Sequence, residues 1–232
     1  MFLRRRATQA EYFDLPERTA KELRAHYEAL NRINHLIRFE RPFRIWLPEL
    51  LGQAHCRRVT ALDLGSGDGM LGRVLTRWAT ARGWEWEFTS LDLCPVAAAM
   101  DPGSRHVVGS VLQLPFPDAS FDVVVATTMT HHLETEADVI THFREAARVA
   151  RRAVLVCDLY RSLWFMMGIW AFVGLAGEGR ELRNDGALSV RRGWRPEEWR
   201  RLANAAGLDR ARVWKEHGTR VLLALTKRPE GG

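Results

Sequence analysis

Cysteine is scarce: Cys56, Cys94 and Cys157 are the only three in 232 residues. They are too few for a disulfide framework and none stands at metal-ligand spacing from another. Neither a cross-linked scaffold nor a structural zinc site is expected, and no metal ligand is assigned. Long apolar runs are missing too. The stretch Leu163 to Ala176 carries no charge over 14 residues, short of the ~20 that a membrane span requires. No internal repeat and no low-complexity segment is present, which excludes solenoids and disordered arrays. Arginines 4 to 6 are followed by no apolar stretch. No signal peptide is read, and a cytoplasmic, reducing location is the expectation.

The composition that remains is that of a globular chain, 47% hydrophobic and 27% charged, long enough for one α/β domain with additions. The net charge of +6 is unevenly spread. Residues 1–58 carry +5, residues 59–140 carry −7 and residues 141–232 carry +8. Basic flanks of this kind suit an anionic partner such as nucleic acid or a membrane surface. They equally suit a solvated surface in a chain whose basic residues are arginine with three exceptions. The second reading is preferred.

Residues 17–51 read as helical, with Leu23, Tyr27, Leu30, Ile33 and Ile37 at three- and four-residue steps. Pro42 and Pro48 are expected to divide this stretch. From Val59 the texture becomes strand–turn–helix. Strands are read at Val59–Leu64, Trp86–Leu93, Arg105–Gly109, Phe121–Ala126 and Ala153–Cys157, the first and last almost wholly apolar, with helices at Met70–Arg82 and Glu134–Ala150. Strands apolar on both faces suit a parallel sheet sandwiched by helices. Pro196 and Gly207 bracket a further helix, and His217-Gly218 joins a terminal hairpin of Ala211–Glu216 and Thr219–Lys227. The apolar stretch at 163–176 is read first as a buried or pocket-lining helix and second as a peripheral membrane contact.

The sharpest motif is Asp63-Leu-Gly65-Ser66-Gly67-Asp-Gly69 after the first strand. Alternate glycines let a ligand approach the backbone, at the strand end where open α/β sheets bind ligands. Met70 breaks the dinucleotide fingerprint, and no lysine is present for a phosphate-binding loop. Asp63 and Asp68 would repel a pyrophosphate but tolerate a cation. Asp92 ends the second strand, where a carboxylate can accept from both hydroxyls of a ribose. Ser110 and Val111 follow the third strand, in the place of an adenine pocket. Together these features suit a nucleoside bearing a positive charge.

These pieces, with Leu114-Pro-Phe-Pro-Asp-Ala-Ser-Phe-Asp-Val-Val-Val125 and Thr130-His-His-Leu133, resemble class I S-adenosylmethionine-dependent methyltransferases, in the small-molecule branch that includes quinone-pathway enzymes. The resemblance implies a Rossmann-like α/β fold: a seven-stranded, mostly parallel sheet in the order 3-2-1-4-5-7-6, strand 7 antiparallel, with helices on both faces. It implies an N-terminal helical cover (1–58) and a methyltransferase domain (59–232) with an apolar helical insert (161–190). It also implies S-adenosyl-L-methionine as cofactor, bound by Asp63, Gly65, Ser66, Gly67, Gly69, Asp92, Leu93, Ser110, Val111 and Thr127. Many relatives carry Asp or Asn where Ser110 stands, so the adenine contact is weakened here.

Methyl transfer to a hydroxyl needs a proton acceptor. His131 and His132 follow the fourth strand and are the candidates, although a purely structural role fits the pair as well. His35 and Tyr160 are placed near the same mouth and His217 at the surface. Trp164, Phe165, Met166, Trp170 and Phe172 are expected to make an apolar lid, so the acceptor is read as a small lipophilic hydroxyl compound. Arg191, Arg192 and Arg195 are available for an anionic group on it. Two alternatives stay open. The basic flanks permit an RNA methyltransferase, though Ala126-Thr-Thr-Met129 stands where an Asn/Asp-Pro-Pro-aromatic tetrapeptide would be expected, and nucleic acid is disfavoured as partner. A non-catalytic cofactor-binding or scaffold protein is the other.

Overall fold

The computed structural model describes all residues except 1, 2, 4, 53, 54 and 228–232; part of the basic start, Arg4 included, therefore lies outside the described residues. Among the described residues seven strands form one sheet: β1 (Arg58–Leu64), β2 (Glu85–Asp92), β3 (Arg105–Val108), β4 (Phe121–Thr127), β5 (Ala150–Leu159), β6 (Arg212–Glu216) and β7 (Arg220–Thr226). Their order is β3-β2-β1-β4-β5-β7-β6. The first five are parallel, and β7 runs antiparallel to both neighbours. This is the expected topology.

Among the described residues eight α-helices accompany the strands: α1 (Ala20–Leu36), α2 (Arg41–Leu51), α3 (Met70–Thr80), α4 (Pro95–Ala98), α5 (Glu136–Val149), α6 (Leu163–Leu175), α7 (Arg180–Arg192) and α8 (Pro196–Ala205). Alternating side chains of each strand point to opposite faces. Leu62, Leu64, Val124, Val154 and Val156 therefore pack with Phe143, Trp199 and Leu202 of α5 and α8. Val123, Val125 and Leu155 pack on the other face with Leu71 and Leu75 of α3 and with Phe43, Leu47 and Leu51 of α2. Burial on both faces is why these strands read as continuous apolar runs.

Two expectations about helices are corrected. Pro48 does not divide the chain, because it sits inside α2. Phe43, Leu47 and Leu51 are buried at four-residue spacing, and that apolar stripe outweighs one missing backbone hydrogen bond. α6 is not a buried helix: of its residues Val173 alone is buried, while Trp164 is 80% and Leu175 89% exposed. Its neighbours cover one side of it, and the other faces outward.

α1 begins with a capping box between Thr19 and Glu22 and lies across the carboxyl ends of β1 and β2. Its Asn31 donates to Asp68 at 2.8 Å. Its Ala29 and Ile33 pack with Val173 and Leu182 of the insert. α1 thereby separates the glycine turn from a second space under α6 and α7. Of the segment before β1, α2 belongs to the sheet packing and only the part up to α1 lies over this region.

Candidate active site

The glycine turn follows β1 directly. Gly65, Gly67 and Gly69 all have positive φ, at 62°, 55° and 79°, where a Cβ is strained. A Cβ on Gly65 would overlap the Met129 side chain, and one on Gly67 would meet the Tyr27 ring at 3.0 Å. The loop is thus a backbone cradle roofed by Tyr27 from α1 and Met129 from beyond β4. Burial, with Asp92 nearby, pushes the Tyr27 phenol up from its ordinary value, so the ring covers the cradle as a neutral group.

Asp63 is fully buried beneath this turn, and neither carboxylate oxygen has a hydrogen-bond partner. Burial, with Asp92 and Asp68 adding repulsion, raises its pKa well above the usual carboxylate range. An unpartnered buried carboxylate is costly, and a cationic group entering the turn would relieve that cost. Asp92 closes the turn from β2: Oδ2 accepts from Gly67 N–H at 2.7 Å and Oδ1 from Cys94 N–H at 2.8 Å. Each oxygen retains acceptor capacity toward a hydroxyl. Ser66 is tied to β2, its N–H donating to Leu91 C=O at 3.1 Å. Leu93 is exposed beside Asp92 and Val111 is buried. Ser110 Oγ accepts from Leu112 N–H at 3.1 Å. Thr127 ends β4 next to Ala126 in the sheet. The turn, Asp92, Ser110 and Thr127 all fall on the carboxyl edge, where strand ends converge on one ligand.

Across α1 lies a pocket walled by Phe13, Leu30, Ile33, Ile37, Phe165, Ile169 and Val173. His131 and His132 are in its lining with Glu11, Asp14 and Thr128. His131 stands on a short 3-10 turn after β4 and is buried. Its Nδ1 lies 2.7 Å from Asp158 Oδ1 at the end of β5. Burial alone would raise the Asp158 pKa, but His131 and two backbone N–H groups outweigh it and hold it below the usual range. The carboxylate is therefore the acceptor, His131 carries its proton on Nδ1, and Nε2 is left toward Glu11 Oε1 at 3.6 Å. His132 Nδ1 pairs the same way with Asp14 Oδ2 at 2.9 Å. Against its own burial, Asp14 is held down to about 2 by His132 and Arg192. Glu11 is pushed up to about 7, chiefly by burial.

Several expected contributors are elsewhere. His35 is exposed and Tyr160 pairs with Trp194 in a β-bridge, and neither lines the pocket. His217 is exposed in the hairpin turn, as expected. Of the five proposed lid residues, Phe165 alone faces the pocket; Ile169 and Val173 complete that face, while Trp164 points outward. Arg192 is not free for an anionic substrate: it donates to His131 C=O and His132 C=O and to Asp14. Arg195 donates to Leu3 C=O. Glu11, Asp14 and Asp158 were missed. Asp158 had a signal, a carboxylate directly after the apolar run Ala153–Cys157.

Residues 62–157 match the family model of the methyltransferase domain. The match covers about two fifths of the chain. A demethylmenaquinone methyltransferase from Roseiflexus sp. (strain RS-1) is 31% identical over 154 residues, 65% of this chain and 60% of that protein. The chain thus spans about three fifths of that relative's length. Among solved structures, the plantazolicin methyltransferase BpumL in complex with SAH superposes with a TM-score of 0.70, covering 93% of each chain at 10% identity. An S-adenosyl-L-methionine-dependent methyltransferase of Methanococcus maripaludis, described as putative, gives 0.59 at 16% identity, covering 97% of this chain and 98% of that one. Magnesium protoporphyrin IX methyltransferase from Synechocystis PCC 6803, with bound SAH, gives 0.54 at 13% identity over 85% of each. At these identities the superpositions speak for the methyltransferase fold. No helix among the described residues is long and apolar enough to cross a membrane.

Proposed function

We infer that the protein transfers the methyl group of S-adenosyl-L-methionine to a hydroxyl of a small, lipophilic acceptor. The observation that carries this reading is the pairing of two spaces across α1. One is a glycine cradle over an orphaned carboxylate; the other is an apolar pocket with a carboxylate-held histidine in its lining.

On this reading Gly65, Ser66, Gly67 and Gly69 pass along the amino-acid part of the cofactor, and Asp63 meets its ammonium group. Asp92, with Leu93 beside it, takes the ribose. Ser110 and Val111 take the adenine, and Thr127 lies at the transfer edge. When bound, S-adenosylmethionine supplies an activated methyl on a sulfonium centre. The chain's own task is positioning, worth up to ~7–11 kcal/mol when the reacting groups are held close. His131, oriented by Asp158, offers Nε2 to the acceptor's proton; His132 is its less buried neighbour, held by Asp14. The segment up to α1 and the insert 161–190 form the cover of the acceptor pocket.

The similarity to a demethylmenaquinone methyltransferase favours a small-molecule acceptor, and so does the use of arginines. Arg6, Arg148, Arg161 and Arg192 of the basic flanks are committed to internal carbonyls rather than arrayed toward a polyanion. The outer face of α6 (Leu163, Trp164, Met167, Trp170) is exposed and apolar. Arg183 stacks on Trp170 at 4.1 Å and Arg180 is exposed nearby. That face suits a peripheral contact with an anionic bilayer surface, from which a lipophilic acceptor would reach the pocket on the other side of the same helix.

Calorimetric titration with S-adenosylmethionine and S-adenosylhomocysteine tests the cofactor half. Micromolar binding is expected, lost in Asp92→Ala; no binding to folded wild type would overturn the reading. A thermal-shift panel tests the acceptor half. Apolar phenols should raise the melting temperature, and a response confined to polar metabolites would remove the lipophilic assignment.

A further inference from the structure

Glu11, His131 and His132 each bring one potential ligand atom within 4.8 Å of the others in the lining of the acceptor pocket. We propose that these three side chains form a binding site for one divalent first-row transition-metal ion. The proposal concerns this cluster alone and stands whether or not the methyl-transfer reading does.

The first support is Glu11. It arrives from the N-terminal segment, is buried, and its Oε1 has no hydrogen-bond partner. That oxygen stands 3.6 Å from His131 Nε2. Ligands ~2.1 Å from a tetrahedral ion lie roughly 3.4 Å from one another. The Oε1–Nε2 pair therefore already has the spacing of two corners of one coordination shell.

The second support comes from behind the rings. Asp158 accepts the Nδ1 proton of His131 at 2.7 Å, and Asp14 that of His132 at 2.9 Å. A carboxylate on one ring nitrogen fixes the tautomer and leaves the other nitrogen as the ligand. Both imidazoles are prepared in this way. The third support is freedom where it is needed. The His132 side chain is 35% exposed, so its ring can close the remaining gap without disturbing the core.

The donor set selects the ion. Two imidazoles and a carboxylate suit zinc, iron(II), cobalt(II) or nickel(II); magnesium and calcium prefer oxygen alone, and no thiolate is present to favour copper(I). Charge favours a cation as well. Glu11, Asp14 and Asp158 face two guanidinium groups, those of Arg192 and Arg6. An ion on Nε2 of His131 engages the lone pair that would otherwise take a proton, so the loaded and metal-free proteins would hold an acceptor oxygen differently.

The test uses the full chain without an affinity tag, stripped with chelator and titrated with cobalt(II) alone. Visible absorption and metal analysis after desalting report binding, and circular dichroism confirms folding. One ion per chain is expected, with a ligand-field spectrum of nitrogen and oxygen donors. Glu11→Gln and His132→Ala should each weaken binding by about tenfold or more. Asp14→Asn, which removes the support behind His132 together with the Arg192 ion pair, should weaken it by ~10–100-fold, and the surface variant His217→Ala should leave it unchanged. Absence of stoichiometric cobalt on the folded wild type would overturn the proposal. So would binding that Glu11→Gln and His132→Ala both retain at full strength.

Discussion

His131 and Asp158 are joined twice. The ring Nδ1–H donates to Oδ1 at 2.7 Å, and the backbone N–H of the same histidine donates to Oδ2 at 2.7 Å. One buried carboxylate therefore fixes both the tautomer of the ring and the turn that carries it. In Asp158→Asn one of these bonds must fail, because the amide has a single oxygen. Losing a buried hydrogen bond to a charged group costs ~1.5–3 kcal/mol, so the urea midpoint should fall. Methyl transfer to an acceptor found in the thermal-shift panel should fall by about 10²–10⁴-fold, while affinity for S-adenosylhomocysteine holds. An unchanged rate would show that His131 has no chemical role.

Gly65→Ala tests the cradle. The residue sits at φ 62° and its new Cβ would enter the Met129 side chain. A left-handed alanine costs ~1–2 kcal/mol, and overpacking adds ~1–3 kcal/mol. A drop in melting temperature of several degrees is expected. Gly83→Ala is the control: it also has positive φ, at 71°, but open space around it. It should cost only the backbone part and leave cofactor binding intact. Equal losses in both variants would argue against close packing at the turn.

The central strands β1, β4 and β5 were legible because each is buried on both faces, and the sheet order followed from the resemblance carried by the Gly65–Gly69 turn and Asp92. β5 was read short, as 153–157, because Arg151, Arg152 and Asp158 interrupt its apolar pattern; Arg151 in fact pairs with Asp122 at 2.8 Å. α6 was found as a helix but not oriented. It is apolar all round, so nothing in its pattern distinguishes Phe165, Ile169 and Val173 from the face of Trp164. Glu11 and Asp14 were invisible for a different reason. They stand in an aperiodic segment, and their partners His131, His132 and Arg192 lie more than 100 residues away. Local spacing carries no record of such contacts.

Asp63→Asn separates stability from binding. The carboxyl group is buried without partners, and its pKa is raised well above the usual range. A carboxyl whose folded pKa is raised makes the protein most stable below the unfolded pKa. That stability is lost as pH rises toward the folded value. At neutral pH the asparagine variant should therefore be more stable without cofactor, by an amount on the order of 1–3 kcal/mol. Its affinity for S-adenosylmethionine should fall, because the ammonium group loses its counter-charge. Denaturant curves and calorimetry on one preparation measure both. A loss of stability without cofactor would mean that Asp63 is charged and paired by a group not identified here.

Trp164→Glu addresses the outer face of α6. The side chain is 80% exposed, so the substitution should leave the unfolding free energy within about 0.5 kcal/mol of wild type. Co-sedimentation with vesicles containing anionic lipid should be strong for wild type, weaker in the variant and reduced by salt. Wild-type protein that stays in the supernatant at low salt would remove the membrane contact.

His142 sets the acid limit. It is fully buried on α5, both ring nitrogens lack partners, and burial lowers its pKa to about 4. The unfolded value is ~6.5, so between these two pH values the unfolded chain binds a proton that the native protein excludes. The stability of the neutral ring is thus complete above pH ~6.5 and is lost as pH falls toward 4, by up to about 3 kcal/mol. His142→Leu removes the titration and the unpartnered nitrogens together. The difference between variant and wild-type unfolding free energies should be small and flat above pH ~6.5 and grow steadily in the variant's favour down to pH 4. Native carboxylates that titrate in the same range cancel to the extent that the substitution leaves their surroundings intact. A flat difference across the whole range would mean that His142 meets solvent or a partner in the native protein, and that the interior between α5 and the sheet is more open than its packing indicates.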